Sequence, residues 1–243
     1  MSTTLALDFG NTRLKAALFQ QDELKEVISL QAHDITGHLQ QIIQQHRPVY
    51  SILSSVINHD AAIEHLLQQH TQFHKLDAQS KLNFTIPVGK PETVGADRLA
   101  IAAAAVHFYP GRHNLIIALG SCITYNFIHA DAQLLGGAIS PGIHMRFRSM
   151  NEYTALLPMT EAHWNIPLIG YDTVTNLQSG VVLGVAGEIE GMVQRYEERY
   201  GNFNALLTGG ATGLISPHLK KQIFADPDFI FKGLYAISVL NHA

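Results

Sequence analysis

The chain has 243 residues, 47% of them apolar and only 15% charged, with a formal net charge of −4. This is enough apolar material for one large packed unit or two smaller ones, and it excludes a disordered or coiled-coil protein. It also excludes a global basic field for nucleic acid or an anionic membrane surface, so any polyanion must be held at a local site.

Leu5, Leu7 and Phe9 alternate with other residues, and Leu14, Ala16 and Leu18 resume the alternation after Gly10-Asn11. Two period-two runs around Gly-Asn predict a β-hairpin closed by a tight two-residue turn with positive φ. A third strand is expected at 27–30. Apolar spacing predicts amphipathic helices over 35–46 and 60–70, with an apolar strand over 50–57 ending in Ser54-Ser55. Residues 81–94, with Pro87, Gly89 and Pro91, read as an extended loop. An alanine-rich helix follows from about Asp97 to Tyr109, stopped by Pro110-Gly111. Strands are expected at 115–119 and 123–129, then a turn-rich segment bracketed by Gly136-Gly137 and Pro141-Gly142. The longest helical pattern runs from Thr173 to Tyr200 and carries Gly180, Gly184, Gly187 and Gly191. Glycine costs helix stability, so the stripe predicts close approach of another backbone, in this chain or a second copy. Leu206–Thr208 is a strand entering the turn Gly209-Gly210, and residues 229–241 form a terminal helix.

A single cysteine, Cys122, excludes an internal disulfide and a paired-cysteine metal or redox site. His65, His70 and His74 lack the spacing of a ligand set, so they are expected to be solvated. With no basic-then-apolar start and no run near ~18 apolar residues, a soluble cytoplasmic protein is expected.

Leu7-Asp8-Phe9-Gly10-Asn11 and Ile117-Ala118-Leu119-Gly120-Ser121 share one construction, 110 residues apart: strand, glycine turn, small polar residue, returning strand. The repetition predicts an α/β protein of two related lobes, about 1–112 and 113–243, with a cleft between them and the terminal helix free to pack back on the first. A Gly-Asn-Thr turn offers successive amides and a hydroxyl to phosphate. Lys15 lies on the returning strand within reach of phosphate oxygens, and Asp8 can hold Mg²⁺ directly or through water. Taken alone, the hairpin reads first as an ordinary turn that Asp8 favours. With Gly120-Ser121 and Thr208-Gly209-Gly210, however, three strand-end glycine turns can line a nucleoside triphosphate, although neither GxxxxGK[ST] nor GxGxxG occurs. Gly95-Ala96-Asp97-Arg98 opens the alanine-rich helix. Asp97 reads both as its N-cap and as a general base toward an alcohol, with Arg98 holding an anion and Gly95 permitting close approach.

The ordered set Asp8-Phe9-Gly10-Asn11-Thr12-Arg13-Leu14-Lys15, Gly95-Ala96-Asp97-Arg98, Leu135-Gly136-Gly137 through Ser140-Pro141-Gly142, Ile169-Gly170-Tyr171-Asp172-Thr173, Ser179-Gly180 and Thr208-Gly209-Gly210 resembles the type III pantothenate kinases. The resemblance implies the acetate and sugar kinase/heat-shock/actin fold (ribonuclease H-like), with two duplicated lobes around a nucleotide cleft and a homodimer. It implies ATP-dependent phosphorylation of pantothenate, the first step toward coenzyme A, with no nucleic-acid or membrane partner. It places residues 8–15, Ser121, Gly209 and Gly210 on ATP, Asp8 on Mg²⁺, and Asp97 as proton acceptor. Pantothenate would meet Gly95, Ala96, Asp97 and Arg98, a Thr173 from the partner subunit, and positions Thr154 and Val88, the last where the family commonly has tyrosine. Two departures concern the monovalent cation, K⁺ or NH₄⁺: Ala118 replaces the usual aspartate, and Asn126 a second acidic residue. The expectation is a reaction that does without the ion or holds it weakly through carbonyls. A non-catalytic nucleotide-binding or regulatory homologue, and a kinase of the same fold for another small alcohol, are the alternatives.

Overall fold

The computed structural model describes residues 2–87, 89–221 and 223–242. It opens with a three-stranded meander, β1 (Thr3–Phe9), β2 (Leu14–Gln20) and β3 (Glu23–Ser29). The antiparallel register of β1 and β2 sets Asp8 opposite Lys15 and Phe9 opposite Leu14. The connection is not the tight turn expected: it takes residues 10–13, and neither Gly10 nor Asn11 has positive φ. The Gly10 N–H donates to the Arg13 carbonyl at 3.1 Å, closing a wider turn that any residue could adopt by φ alone.

Next come α1 (Ile35–His46), β4 (Tyr50–Ser55), α2 (Ala61–His70) and β5 (Gln72–Lys75). Asp34 and Asp60 cap the helices, accepting from Gly37 N at 2.9 Å and Ala62 N at 2.8 Å. β4 runs parallel to β1 and β5 parallel to β4, giving the order β3-β2-β1-β4-β5. Leu5, Leu7 and Phe9 pack with Leu53 and with Leu39, Ile42, Ile63 and Leu67 of the two helices. α3 (Ala96–Phe108) is buried on all sides from Leu99 to Ala105, which explains its alanines: it has no room for a larger side chain facing solvent or core.

The second sheet repeats the plan. β6 (Asn114–Leu119), β7 (Cys122–His129) and β8 (Gln133–Pro141) form the meander, followed by α4 (Ile143–Glu152), α5 (Thr173–Tyr200), β9 (Asn204–Thr208), α6 (Thr212–Ile215) and β10 (Phe224–Ala225). β9 is parallel to β6 and β10 to β9, in the order β10-β9-β6-β7-β8. Each sheet is thus an antiparallel meander continued by two parallel strands. Leu115, Ile117, Tyr125 and Phe127 pack on Val181, Val182, Val185 and Ile189 of α5 and on Phe147 of α4. Residues 133–141 are therefore a strand rather than a turn-rich segment. α5 starts at a capping box between Asp172 and Thr175 and stops at Gly201, φ 70°.

The four α5 glycines are exposed, and no described atom lies within 4 Å of the position a Cβ would take on any of them. Among the described residues, no neighbouring element packs against them. The last helix, α7 (Phe229–His242), returns to the first lobe, where a Cβ at Gly233 would lie 1.8 Å from the Ala100 carbonyl oxygen. The described residues within 1–111, 132–134 and 228–243 make up that first lobe, and those within 112–131 and 135–227 the second.

Candidate active site

In the first lobe, β1 ends at the Asp8–Lys15 pair and α3 brings its first turn to the same place. α3 begins at Ala96 with Gly95 as its cap residue, so Asp97 lies inside the first turn and is not the N-cap expected. Its Oδ1 instead accepts the N–H of Arg98 at 2.8 Å. A Cβ on Gly95 would lie 2.6 Å from that same oxygen, so glycine here makes room for the Asp97 carboxylate itself. Burial raises the Asp97 pKa above the usual carboxylate range, against the pull of the Arg98 N–H and guanidinium. Burial, then the charge of Asp97, push Asp8 up to about 7, with Lys15 opposing. Two carboxylates, one lysine and one arginine are therefore gathered at one end of the sheet.

Other residues of that turn contribute differently. The Phe9 ring is fully buried in the core and Leu14 packs beside it, which leaves their backbone groups for any ligand. Asn11, Thr12 and Arg13 are exposed at the tip. Ser54 stands opposite Asp8 on β4, its Oγ buried without a hydrogen-bond partner among the described residues. Nothing in the sequence marked its hydroxyl. Val88 lies outside the described residues.

In the second lobe three glycine segments converge. The Gly142 N–H donates to the Ser121 carbonyl at 3.1 Å, and a Cβ on Gly142 would lie 2.4 Å from the Gly120 carbonyl oxygen. Gly209, φ 95°, would place a Cβ 2.7 Å from the Leu119 oxygen, so both space and dihedral demand glycine there. Gly120-Ser121, Gly142 and Gly209-Gly210 thus meet at the ends of β6 and β9. Glu188 of α5 fixes this cradle from below: it accepts from Tyr125 Oη at 2.9 Å and Ser140 Oγ at 2.6 Å and pairs with Arg146, whose Nε donates to the Pro141 carbonyl at 2.8 Å. Burial works against the Glu188 carboxylate, yet these donors hold its pKa below the ordinary range. Thr173 opens α5 and lines a groove of about 700 Å³ with Arg146, Met150, Leu157, Leu177 and Gly180, while the exposed Thr154 hydroxyl donates to the Met150 carbonyl at 2.6 Å.

The hard carboxylate oxygens of Asp8 at the end of β1 are of the kind that would hold Mg²⁺, although no cluster of three or more metal-ligating side chains surrounds them among the described residues. The two monovalent-cation positions carry no acidic side chain. Ala118 offers no side-chain oxygen, and the neutral Asn126 brings no charge, its amide nitrogen donating to the Ile116 carbonyl and Thr124 Oγ1 at 3.2 and 3.0 Å.

Paired lobes of this topology with glycine cradles at their strand ends define the acetate and sugar kinase/heat-shock/actin class of fold. Among solved structures, a conserved Baf family protein of Campylobacter jejuni superposes with a TM-score of 0.62 at 20% identity, over 98% of both chains. The (R)-2-hydroxyglutaryl-CoA dehydratase component A of Acidaminococcus fermentans gives 0.53 at 12% identity, over 100% of this chain and 98% of that one. Within that class the chain belongs to the type III pantothenate kinase family, whose family model matches residues 4–195. It is 37% identical to the type III pantothenate kinase of Christiangramia forsetii over 98% of each chain. It is 36% identical to that of Cytophaga hutchinsonii, over 98% of this chain and 99% of the relative.

Proposed function

We propose that Asp97 is the proton acceptor in an ATP-dependent phosphorylation of pantothenate. The observation that carries this is a desolvated carboxylate with a raised pKa, held by the Arg98 N–H in the space Gly95 leaves. Asp97 takes the hydroxyl proton of the alcohol as its oxygen bonds to the γ-phosphorus, and the bond from phosphorus to the bridging oxygen breaks, releasing ADP. Lys15 and the exposed turn at 10–13 would hold phosphate oxygens, as would Ser121 and the Gly209-Gly210 amides in their own lobe. Asp8 would hold Mg²⁺, directly or through water, and bound Mg²⁺ neutralises charge on the phosphates. Arg98 anchors the acceptor's carboxylate, and Thr173 reaches it from the partner subunit of a homodimer. No described helix is long and apolar enough to cross a membrane, and the reaction would take place in the cytoplasm.

Ala118 and Asn126 favour a reaction that does not need K⁺. The test is ADP release with pantothenate in K⁺ and in Na⁺ buffers, for the native chain and Asp97→Asn. Activity equal in the two salts and a kcat lower by ~10²–10⁴-fold in the variant are expected. An unaltered kcat in Asp97→Asn would overturn the base assignment, and a large K⁺ requirement the ion reading. Nucleotide binding without turnover of pantothenate or any other small alcohol would establish the non-catalytic alternative, which the same two replacements motivate.

A further inference from the structure

The loop after β4 is braced by a chain of side chains that the reaction as described does not use. Ser55 Oγ donates to the Ile57 carbonyl at 3.0 Å and lies 3.0 Å from His59 Nδ1. The other ring nitrogen, Nε2, meets Glu64 Oε1 at 2.8 Å, and Lys75 Nζ donates to the same oxygen at 2.7 Å. The His59 side chain is only 7% exposed and meets the Phe9 ring edge-on, centroids 5.6 Å apart. Serine, histidine and glutamate in series form the order of a nucleophile triad, but the Ser55 proton is committed to its own turn. The group is a brace.

What it braces is Val56. Its N–H donates to the Phe9 carbonyl at 3.1 Å, the last rung between β4 and β1. The position of a Gly95 Cβ lies 3.8 Å from Val56 Cγ1 and 2.6 Å from Asp97 Oδ1, so the partly exposed Val56 side chain borders the turn that carries the carboxylate. β1 is locked on both sides by strand pairing, whereas residues 56–60 leave the sheet before α2 begins. His59 joins that departing loop to α2 and β5 by fixing both ends of one ring.

We propose that His59 is a positioning residue: through Ser55 it holds Val56 against Gly95 and so sets the acceptor side of the reaction. This rests on reading Gly95–Arg98 as the acceptor turn.

The test is steady-state kinetics of the full chain, varying pantothenate and ATP separately, with the melting temperature of each variant. His59→Ala and Ser55→Ala should each raise KM for pantothenate about tenfold and leave KM for ATP within about twofold, as expected for an acceptor misplaced by a fraction of an ångström. His59→Asn places an amide where Nδ1 stood and should restore most of the loss, while His59→Gln reaches Glu64 instead and should not. Wild-type KM values in all four variants would overturn the proposal. So would a parallel rise in both KM values that follows the melting temperature and is not rescued by asparagine. Asp97→Asn run alongside separates the two failures. If its kcat is unaltered, the acceptor turn itself is misassigned and the proposal falls with it; if its kcat collapses while the His59 variants stay indifferent, only the positioning role falls.

Discussion

Asp8 carries the most consequential titration in the first lobe. Burial and the neighbouring Asp97 raise its pKa to about 7 in the folded chain, well above the unfolded value. The folded state therefore holds the proton more tightly. The contribution of Asp8 to stability is intact below about pH 4 and is lost as pH rises through about 7. Without Mg²⁺, Asp8→Asn should raise the melting temperature at pH 8 by about 3–6 °C, on the order of 1–2 kcal/mol after solvent screening, and leave it nearly unaltered at pH 4.5. Thermal melts at the two pH values check this, and an equal shift at both would place the effect elsewhere than in the carboxylate. Lys15 works in the opposite direction, and its register opposite Asp8 is fixed by β1 and β2 alone.

Elements differ in how far their packing constrains them, and α3 with α7 is the extreme case. A Cβ at Gly233 would overlap the Ala100 carbonyl at 1.8 Å, and backbone cannot give way as a side chain end can. Gly233→Ala should cost about 2–4 kcal/mol and lower the melting temperature by ~4–12 °C, read in a thermal melt. A neutral variant would mean that the helices are free to separate. The same pair shows what pattern reading could reach. Alanine density in 97–109 and apolar spacing in 35–46 and 60–70 are local signals, and those helices were legible to within a residue or so. The strand at 133–141 was not, because Gly136 and Gly137 read as a turn while Tyr125 backbone crowding makes glycine necessary within the strand. α4 was missed although Ile143, Phe147 and Met150 stand at helical spacing on its core face, because polar residues leave that stripe only one residue wide. As candidates, Asp8, Asp97 and Arg98 could be picked out because each lies within three residues of a glycine at an element end, and Lys15 because it pairs with Asp8 across the hairpin. His59 was not, because its partners at 9, 55 and 64 lie on two strands and a helix, and only the fold gathers them.

At the scale of the whole molecule, the second lobe exposes several large apolar side chains. Leu156, Leu168, Ile169 and Tyr171 are each more than 80% exposed, next to Thr173 and the bare glycines of α5. The homodimer proposed above would cover such a surface. Light scattering on a sizing column should show a dimer, and Leu156→Asp with Ile169→Asp should give a monomer with activity reduced about tenfold or more. A native monomer at micromolar concentration would remove the dimer and the partner's Thr173 from the mechanism.

The first lobe also has a history in time. Its core is closed by residues 229–242, yet more than a hundred residues of the second lobe are synthesised between α3 and that closing helix. At ~5–20 residues per second, the alanine face of α3 waits on the order of 10 s on the ribosome without its partner. The lobe that carries Asp8 and Asp97 is therefore the last to mature, although its sheet is the first to be made. A released chain ending before residue 229 should show a folded second lobe and a first lobe left unfinished.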